Sequence, residues 1–334
     1  MDITCACSAR GMELCEADMK LKDKKVLVTG GSGFLGRVIV KKLEDRGAHV
    51  AIPRSADYDL MDKNRAEEMI EVFHPEIVIH SAALYGGIEI NMKIPADIYF
   101  TNMSMQTNVI DACAKANVKK FVGVGTACSY PGEVSGSMQE KDLWKGPCHG
   151  SVACYGAVKK MMVIQCNAYR QQFGFNGIHV MLANLYGPWD SYNTERSHVV
   201  AALIRKFVEA QKNNSLTVPV WGTGNPVREF LFVDDAAEGI LRATEKYDEP
   251  IPLNIGTGIG TAIKLLVYYI KKLVEYEGEV KWDTSKPEGA KAKVFDITRM
   301  KDVLHWTPDT ALEEGLSWTI RWFKENYAPA IERW

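Results

Sequence analysis

The chain has 334 residues, 46% of them hydrophobic and 25% charged, the balance of a folded soluble protein of about two units of roughly 150 residues each. Forty basic side chains against forty-two acidic ones leave a net charge of −2, which excludes a polybasic nucleic-acid binder and an acidic tail protein. No apolar run reaches the ~18 residues of a membrane helix, and eight cysteines are too few for a disulfide scaffold, so free thiols in a reducing cytoplasm are expected.

Residues 1–20 carry neither the basic nor the apolar region of a signal peptide. Cys5, Cys7 and Cys15 lack a fourth ligand at zinc spacing, so the stretch reads as a frayed tail without a metal. Val26-Leu27-Val28 is a short apolar strand, followed by Gly30-Gly31-Ser32-Gly33. Leu35, Val38, Ile39 and Leu43 then recur at helical spacing, and Gly47 stops that helix. Val50-Ala51-Ile52 is the second strand. A helix over Lys63–Phe73 leads through Pro75 to the strand Ile77-Val78-Ile79. A helix from about Tyr99 to Asn117 precedes the strand Phe121–Val124, and a helix over Tyr155–Phe173 precedes Ile178–Leu182.

Alternation of helices with near-continuous apolar strands predicts an α/β fold, a doubly wound parallel sheet of Rossmann type covered on both faces. From about Tyr186 the rhythm breaks into turn-rich stretches, and Leu253-Asn254-Ile255 is expected to return to the main sheet. The expected partition is a dinucleotide-binding unit over 21–185 plus about 228–258, and a smaller C-terminal α/β substrate unit over 186–227 plus 259–334. A ligand belongs in the crevice beyond the strand C-termini.

Gly30-x-x-Gly33-x-x-Gly36 sits between the first strand and the first helix. Glycines there permit a tight turn and let a pyrophosphate approach the backbone at a helix N-terminus. Gly30, Gly33, Phe34, Leu35 and Gly36, with Ala82 after the third strand, are therefore assigned to the cofactor. At the end of the second strand, where an NAD site usually carries an acid, the chain reads Ile52-Pro53-Arg54-Ser55. Arg54, helped by Ser55 and Arg37, suits a 2′-phosphate, which favours NADP over NAD.

Tyr155 and Lys159 stand at i and i+4, on one helix face. A nearby ammonium is expected to lower the tyrosine pKa and ready Tyr155 as a general acid toward a carbonyl oxygen. Thr126, at the end of the preceding strand, can hydrogen-bond the same oxygen.

With these residues on one scaffold, the chain resembles the extended short-chain dehydrogenase/reductase family from about Lys24 to Tyr327. The resemblance implies an NAD(P) sheet unit and a nucleotide-sugar substrate. It also implies Asp59-Leu60 beside the adenine, and Lys159 on the nicotinamide ribose. After Thr126 the chain has Ala127-Cys128 in place of the Asp-Glu pair of sugar dehydratases. It is similar instead to the GDP-L-fucose synthase branch. The matching stretches are Gly86-Gly87-Ile88 with Asn91, Pro95-Ala96-Asp97, Cys128-Ser129-Tyr130-Pro131 and Asn184-Leu185-Tyr186-Gly187-Pro188. Ser197-His198-Val199, Trp221–Pro226, Arg228-Glu229-Phe230, Val233-Asp234-Asp235 and Ser285-Lys286-Pro287 with Gly289 complete the set.

That branch takes a GDP-4-keto-6-deoxy sugar, inverts C3 and C5, and reduces C4 with NADPH. The keto group acidifies the protons on C3 and C5, and inversion needs a base on one face and an acid on the other. The resemblance assigns that pair to Cys128 and His198, and substrate contacts to Asn184, Trp221, Arg228 and Lys293. It also implies a homodimer through the helices that carry Asn102 and Tyr155.

Three departures stand out: Trp189-Asp190-Ser191-Tyr192 replaces the branch's usual His/Asn-Asp-Asn-Phe, Ala292-Lys293 replaces an arginine-lysine pair, and Thr126 replaces a serine. They leave open a related 4-reductase or 4-epimerase acting on another GDP-4-keto sugar, such as a heptose or a dideoxy sugar. A non-catalytic dinucleotide sensor is the reading of another class. Retention of Thr126, Tyr155 and Lys159 together argues against it.

Overall fold

A computed structural model describes residues 19–134, 136–286 and 289–332; the expected tail with Cys5, Cys7 and Cys15 lies almost wholly outside them. In chain order the first half holds β1 (Lys25–Thr29), α1 (Phe34–Asp45), β2 (His49–Ala51), α2 (Lys63–Phe73), β3 (Ile77–His80), α3 (Ile88–Lys93), α4 (Pro95–Lys115), β4 (Lys120–Thr126), α5 (Ala153–Phe173), β5 (Gly177–Leu182) and β6 (Asn184–Tyr186). The second half holds α6 (Val199–Lys212), β7 (Thr217–Trp221), β8 (Val227–Phe232), α7 (Val233–Lys246), β9 (Leu253–Ile255), β10 (Gly260–Ala262), α8 (Ile263–Val274), β11 (Glu279–Asp283), β12 (Ala292–Lys293), α9 (Thr298–Leu304), α10 (Leu312–Glu325) and α11 (Tyr327–Glu332).

Six strands form one parallel sheet in the order β2-β1-β3-β4-β5-β9. Alternate side chains of its central strands go to opposite faces. Val26, Val28, Ile77 and Ile79 pack in one core with Ile39, Leu43, Ile240 and Met300, from α1, α7 and α9. Leu27, Val78 and Phe121 pack in another with Met69, Ile110 and Met162, from α2, α4 and α5. Both faces are dry, which is why these strands read as unbroken apolar runs. Each fully buried aliphatic side chain of this kind is worth about 1.5–3 kcal/mol.

The expected return of Leu253–Ile255 occurs: β9 pairs with β5. The segment 228–258, expected to belong as a whole with the first unit, divides. Strand β8 joins a second sheet with β10, β12 and β6, whereas α7 packs on the main sheet's core. The helix expected from Tyr99 begins earlier, at Pro95, because a proline at the first helical position has no N–H to leave unpaired. Strand β7 pairs with β11, and a third core between α6, α8 and α10 closes the C-terminal half.

Candidate functional site

The sheet order reverses direction about β1, with β2 on one side and β3 on the other, so a crevice opens beyond the C-termini of β1 and β3. Gly30, Gly33, Phe34, Leu35, Gly36 and Ala82 line it. Gly30 has a φ of +71°, and a Cβ there would lie 2.9 Å from the backbone of Ala82. A Cβ on Gly36 would run into the Gly30 carbonyl. The first turn of α1 carries no acidic side chain. Backbone N–H groups on a loop this closely packed fit a dinucleotide's pyrophosphate.

Arg54, Asp59 and Leu60, also expected at the cofactor, are not among the residues that line the crevice. Arg54 is exposed. The Asp59 carboxylate accepts from the Met61 N–H at 2.9 Å, and Leu60 is buried against the α2 and α4 side chains. The chain leaves β2 as a run of turns, and these residues serve those turns. Arg37 lies over the Trp189 ring, 4.2 Å from its centroid, and donates to the Ser32 carbonyl at 3.0 Å.

The crevice widens into a cavity of about 510 Å³ that reaches the second sheet. Thr126, Cys128, Tyr155, Lys159, His198, Asn184, Trp221, Arg228 and Lys293 all line it. Thr126 ends β4, and its Oγ1 accepts from the Cys128 N–H at 3.2 Å, starting the short turn 127–129. Gly156 in α5 sits against the Cys128 carbonyl. Any side chain there would push α5 away, so this glycine brings Tyr155 beside Cys128.

Burial pushes the Tyr155 phenol up, with Cys128 and Tyr85 adding to the shift. Desolvation of the phenol thus works against the lowering expected from a nearby ammonium. Lys159 is itself brought down to about 8 by burial. Burial also raises the Cys128 thiol, against the opposing pull of Thr126, Lys293 and Arg228. The His198 imidazole is pushed down to about 4 by burial. In the free protein, then, the phenol and the thiol hold their protons and the imidazole is neutral.

Lys293, expected at the substrate, donates to the carbonyls of Tyr130 at 3.1 Å and Pro131 at 2.6 Å. It therefore braces the loop after Cys128 as well as lining the cavity. Arg228 donates to the Val227 carbonyl at 2.8 Å, and Asn184 to the Glu229 carbonyl at 2.9 Å. Trp221 is 40% exposed, with the Lys206 ammonium 5.8 Å from its ring centroid. Lys206 and Tyr85 also line the cavity, and the sequence reading missed both. Lys206 lies two turns along α6 from His198, a periodicity that could have found it; Tyr85 has no such local signal.

A sequence profile of the NAD dependent epimerase/dehydratase family matches residues 26–256. The chain is 38% identical to a probable GDP-L-fucose synthase 1 of Oryza sativa subsp. japonica, over 92% of this chain and 94% of that protein. It is 35% identical to the GDP-L-fucose synthase of Escherichia coli K12, over 92% and 98%. Among solved structures, a GDP-6-OMe-4-keto-L-xylo-heptose reductase from C. jejuni superposes with a TM-score of 0.87 at 26% identity, covering 93% of this chain and 100% of that one. A GDP-L-fucose synthetase from Naegleria fowleri bound to NADP does so with 0.86 at 27% identity, covering 96% and 100%.

Proposed function

The chain belongs to the NAD dependent epimerase/dehydratase family, and from that premise we propose how its residues share the work. The protein is an NADP-dependent nucleotide-sugar epimerase/reductase of the GDP-L-fucose synthase kind. It inverts C3 and C5 of a GDP-4-keto-6-deoxy sugar and reduces C4. The observation that carries this reading is the convergence of Thr126, Cys128, Tyr155, Lys159 and His198 on one cavity beside the glycine loop.

Gly30, Gly33 and Gly36 cradle the NADP pyrophosphate, and Lys159 holds the nicotinamide ribose. Bound NADPH supplies the hydride for C4. Tyr155, kept protonated by burial, and Thr126 hydrogen-bond the 4-keto oxygen. That polarisation makes the neighbouring C–H bonds acidic and stabilises the enolate. His198, neutral, accepts the carbon proton on one face of the sugar. Cys128, protonated, delivers one on the other face. When C4 is reduced, Tyr155 gives its proton to the new alkoxide. Arg228, Lys206 and Lys293 supply positive charge toward the diphosphate, and Trp221 offers an indole face to the nucleotide.

The test is turnover of GDP-4-keto-6-deoxymannose with NADPH in D2O. Wild-type protein should place deuterium at C3 and C5. Cys128→Ser should lower that incorporation by ~10²-fold or more, the usual worth of a positioned acid or base. Tyr155→Phe should chiefly suppress reduction. Reduction by wild-type protein without deuterium at either carbon would reduce the activity to that of a simple 4-reductase. Likeness to the heptose reductase favours a second reading, in which another GDP-4-keto sugar is the natural substrate.

The same reading carries a homodimer through α4 and α5 in the cytoplasm. The dimer is supported by the exposed Tyr99 and Phe100 of α4 and Met161 and Ile164 of α5. The reducing compartment is supported by the free thiol that Cys128 must keep. Among the described residues no helix is long and apolar enough to cross a membrane.

A further inference from the structure

We propose that Tyr85 is a positioning residue for the epimerisation, a platform whose ring plane sets the plane of the His198 imidazole. The inference rests on the reading of His198 as one of the two proton-transfer groups. The two rings are stacked, 5.7 Å between centroids and 12° from parallel. Tyr85 lines the cavity with His198 and Tyr155, and it is close enough to Tyr155 to oppose ionisation of that phenol.

What makes this a platform is the way its own backbone is held. On one side the Asn102 side chain grips Leu84 twice, accepting its N–H at 2.8 Å and donating to its carbonyl at 2.8 Å. On the other side the Asn91 amide donates to the carbonyls of Gly86 at 3.0 Å and Gly87 at 2.9 Å. Tyr85 is the residue between the two clamps. The glycine pair then docks against the very segment that carries the imidazole. The Gly87 N–H donates to the Arg196 carbonyl at 3.0 Å, and a Cβ on Gly87 would lie 2.7 Å from the Ser197 carbonyl oxygen. A short stretch of the nucleotide-binding half thus meets residues 196–198 edge to edge, with the stacked rings completing the contact.

His198 precedes the first turn of α6, and its side chain makes no capping hydrogen bond there. The stack is a restraint on its χ angles that no cap supplies. Proton transfer to or from carbon demands a narrow approach of donor and acceptor, so a swivelling imidazole loses rate steeply. Hydride delivery to C4 makes no such demand on His198. Loss of the stack should therefore change the balance between the two reactions.

The experiment measures deuterium at C3 and C5 per molecule of sugar reduced, with GDP-4-keto-6-deoxymannose, NADPH and D2O. Tyr85→Ala should lower that ratio roughly tenfold or more, with unepimerised reduced sugar appearing among the products. Tyr85→Phe, which keeps the ring and drops the hydroxyl, should restore the ratio to within about twofold of wild type. An unchanged ratio in Tyr85→Ala overturns the proposal. So does a Tyr85→Phe ratio as low as that of alanine, because the hydroxyl would then be the active part. Absence of deuterium from the wild-type product overturns the epimerase reading itself, and this inference with it.

Discussion

His198 lines the cavity wall, where packing around the imidazole penalises the charged ring more than the neutral one. An ordinary imidazole titrates near ~6.5, whereas this one is pushed down to about 4. A proton acceptor must be neutral, and a lowered pKa extends the neutral form to more acid conditions. Deuterium incorporation at C3 and C5 should therefore stay level from pH ~8 down to ~5.5, with no fall near ~6.5. The thiol of Cys128, raised by burial, stays protonated over the same range. Rates measured at saturating cofactor across that range would show it, and an acid limb near ~6.5 would assign the step to a hydrated histidine. At this scale the sequence is most readable where residues are local to one another. Tyr155 and Lys159 announce themselves by a helical interval, whereas Cys128 was picked out by the family resemblance of the residues around it. Lys293 is different, since its bonds run to Tyr130 and Pro131, far earlier in the chain. Tyr85 is different again, because its meaning depends on which segment folds over it. Arg54 was read as a 2′-phosphate contact because a cation stands where an acid would bind a ribose; it is an exposed side chain after β2.

Helices α4 and α5 pack on each other, tied by the Gln106 side chain donating to the Val158 carbonyl at 2.9 Å. They bury one face against β-strands and leave apolar side chains on the other, with Phe100 63% and Ile164 50% exposed. Two neighbouring helices with such a face match a symmetric partner carrying the same face. Ile164→Arg should convert a dimer to a monomer in light scattering, since each copy would then bury a charge against the other. A wild-type protein that is monomeric at micromolar concentration would remove the interface. The long helices were legible because their apolar periodicity outlasts any local ambiguity. The six-residue α3 was not, being too short for a period to emerge. The start of α4 shifted to Pro95 because the pattern of burial begins a turn later than the hydrogen bonding does.

The molecule's class was legible in its apolar strands, since a sheet buried on both faces leaves no polar alternation. Its C-terminal half was not, because β6, β10 and β12 are brief and pair with β8 across long stretches of chain. One such long-range pairing has a consequence during synthesis. Strand β5 is buried at every position, yet its outer edge is covered by β9, which leaves the ribosome only after α6, β7, β8 and α7 have been made. At ~5–20 residues per second the nascent chain presents an open, unpaired strand edge for several seconds. A chain cut after Tyr186 keeps that edge open for good and should collect in the insoluble fraction. Its recovery as a soluble monomer would mean that the glycine loop and its sheet can stand without the strand that closes them. Otherwise this protein's birth depends on a chaperone, or on sheer speed, to shield β5 until Leu253–Ile255 arrives.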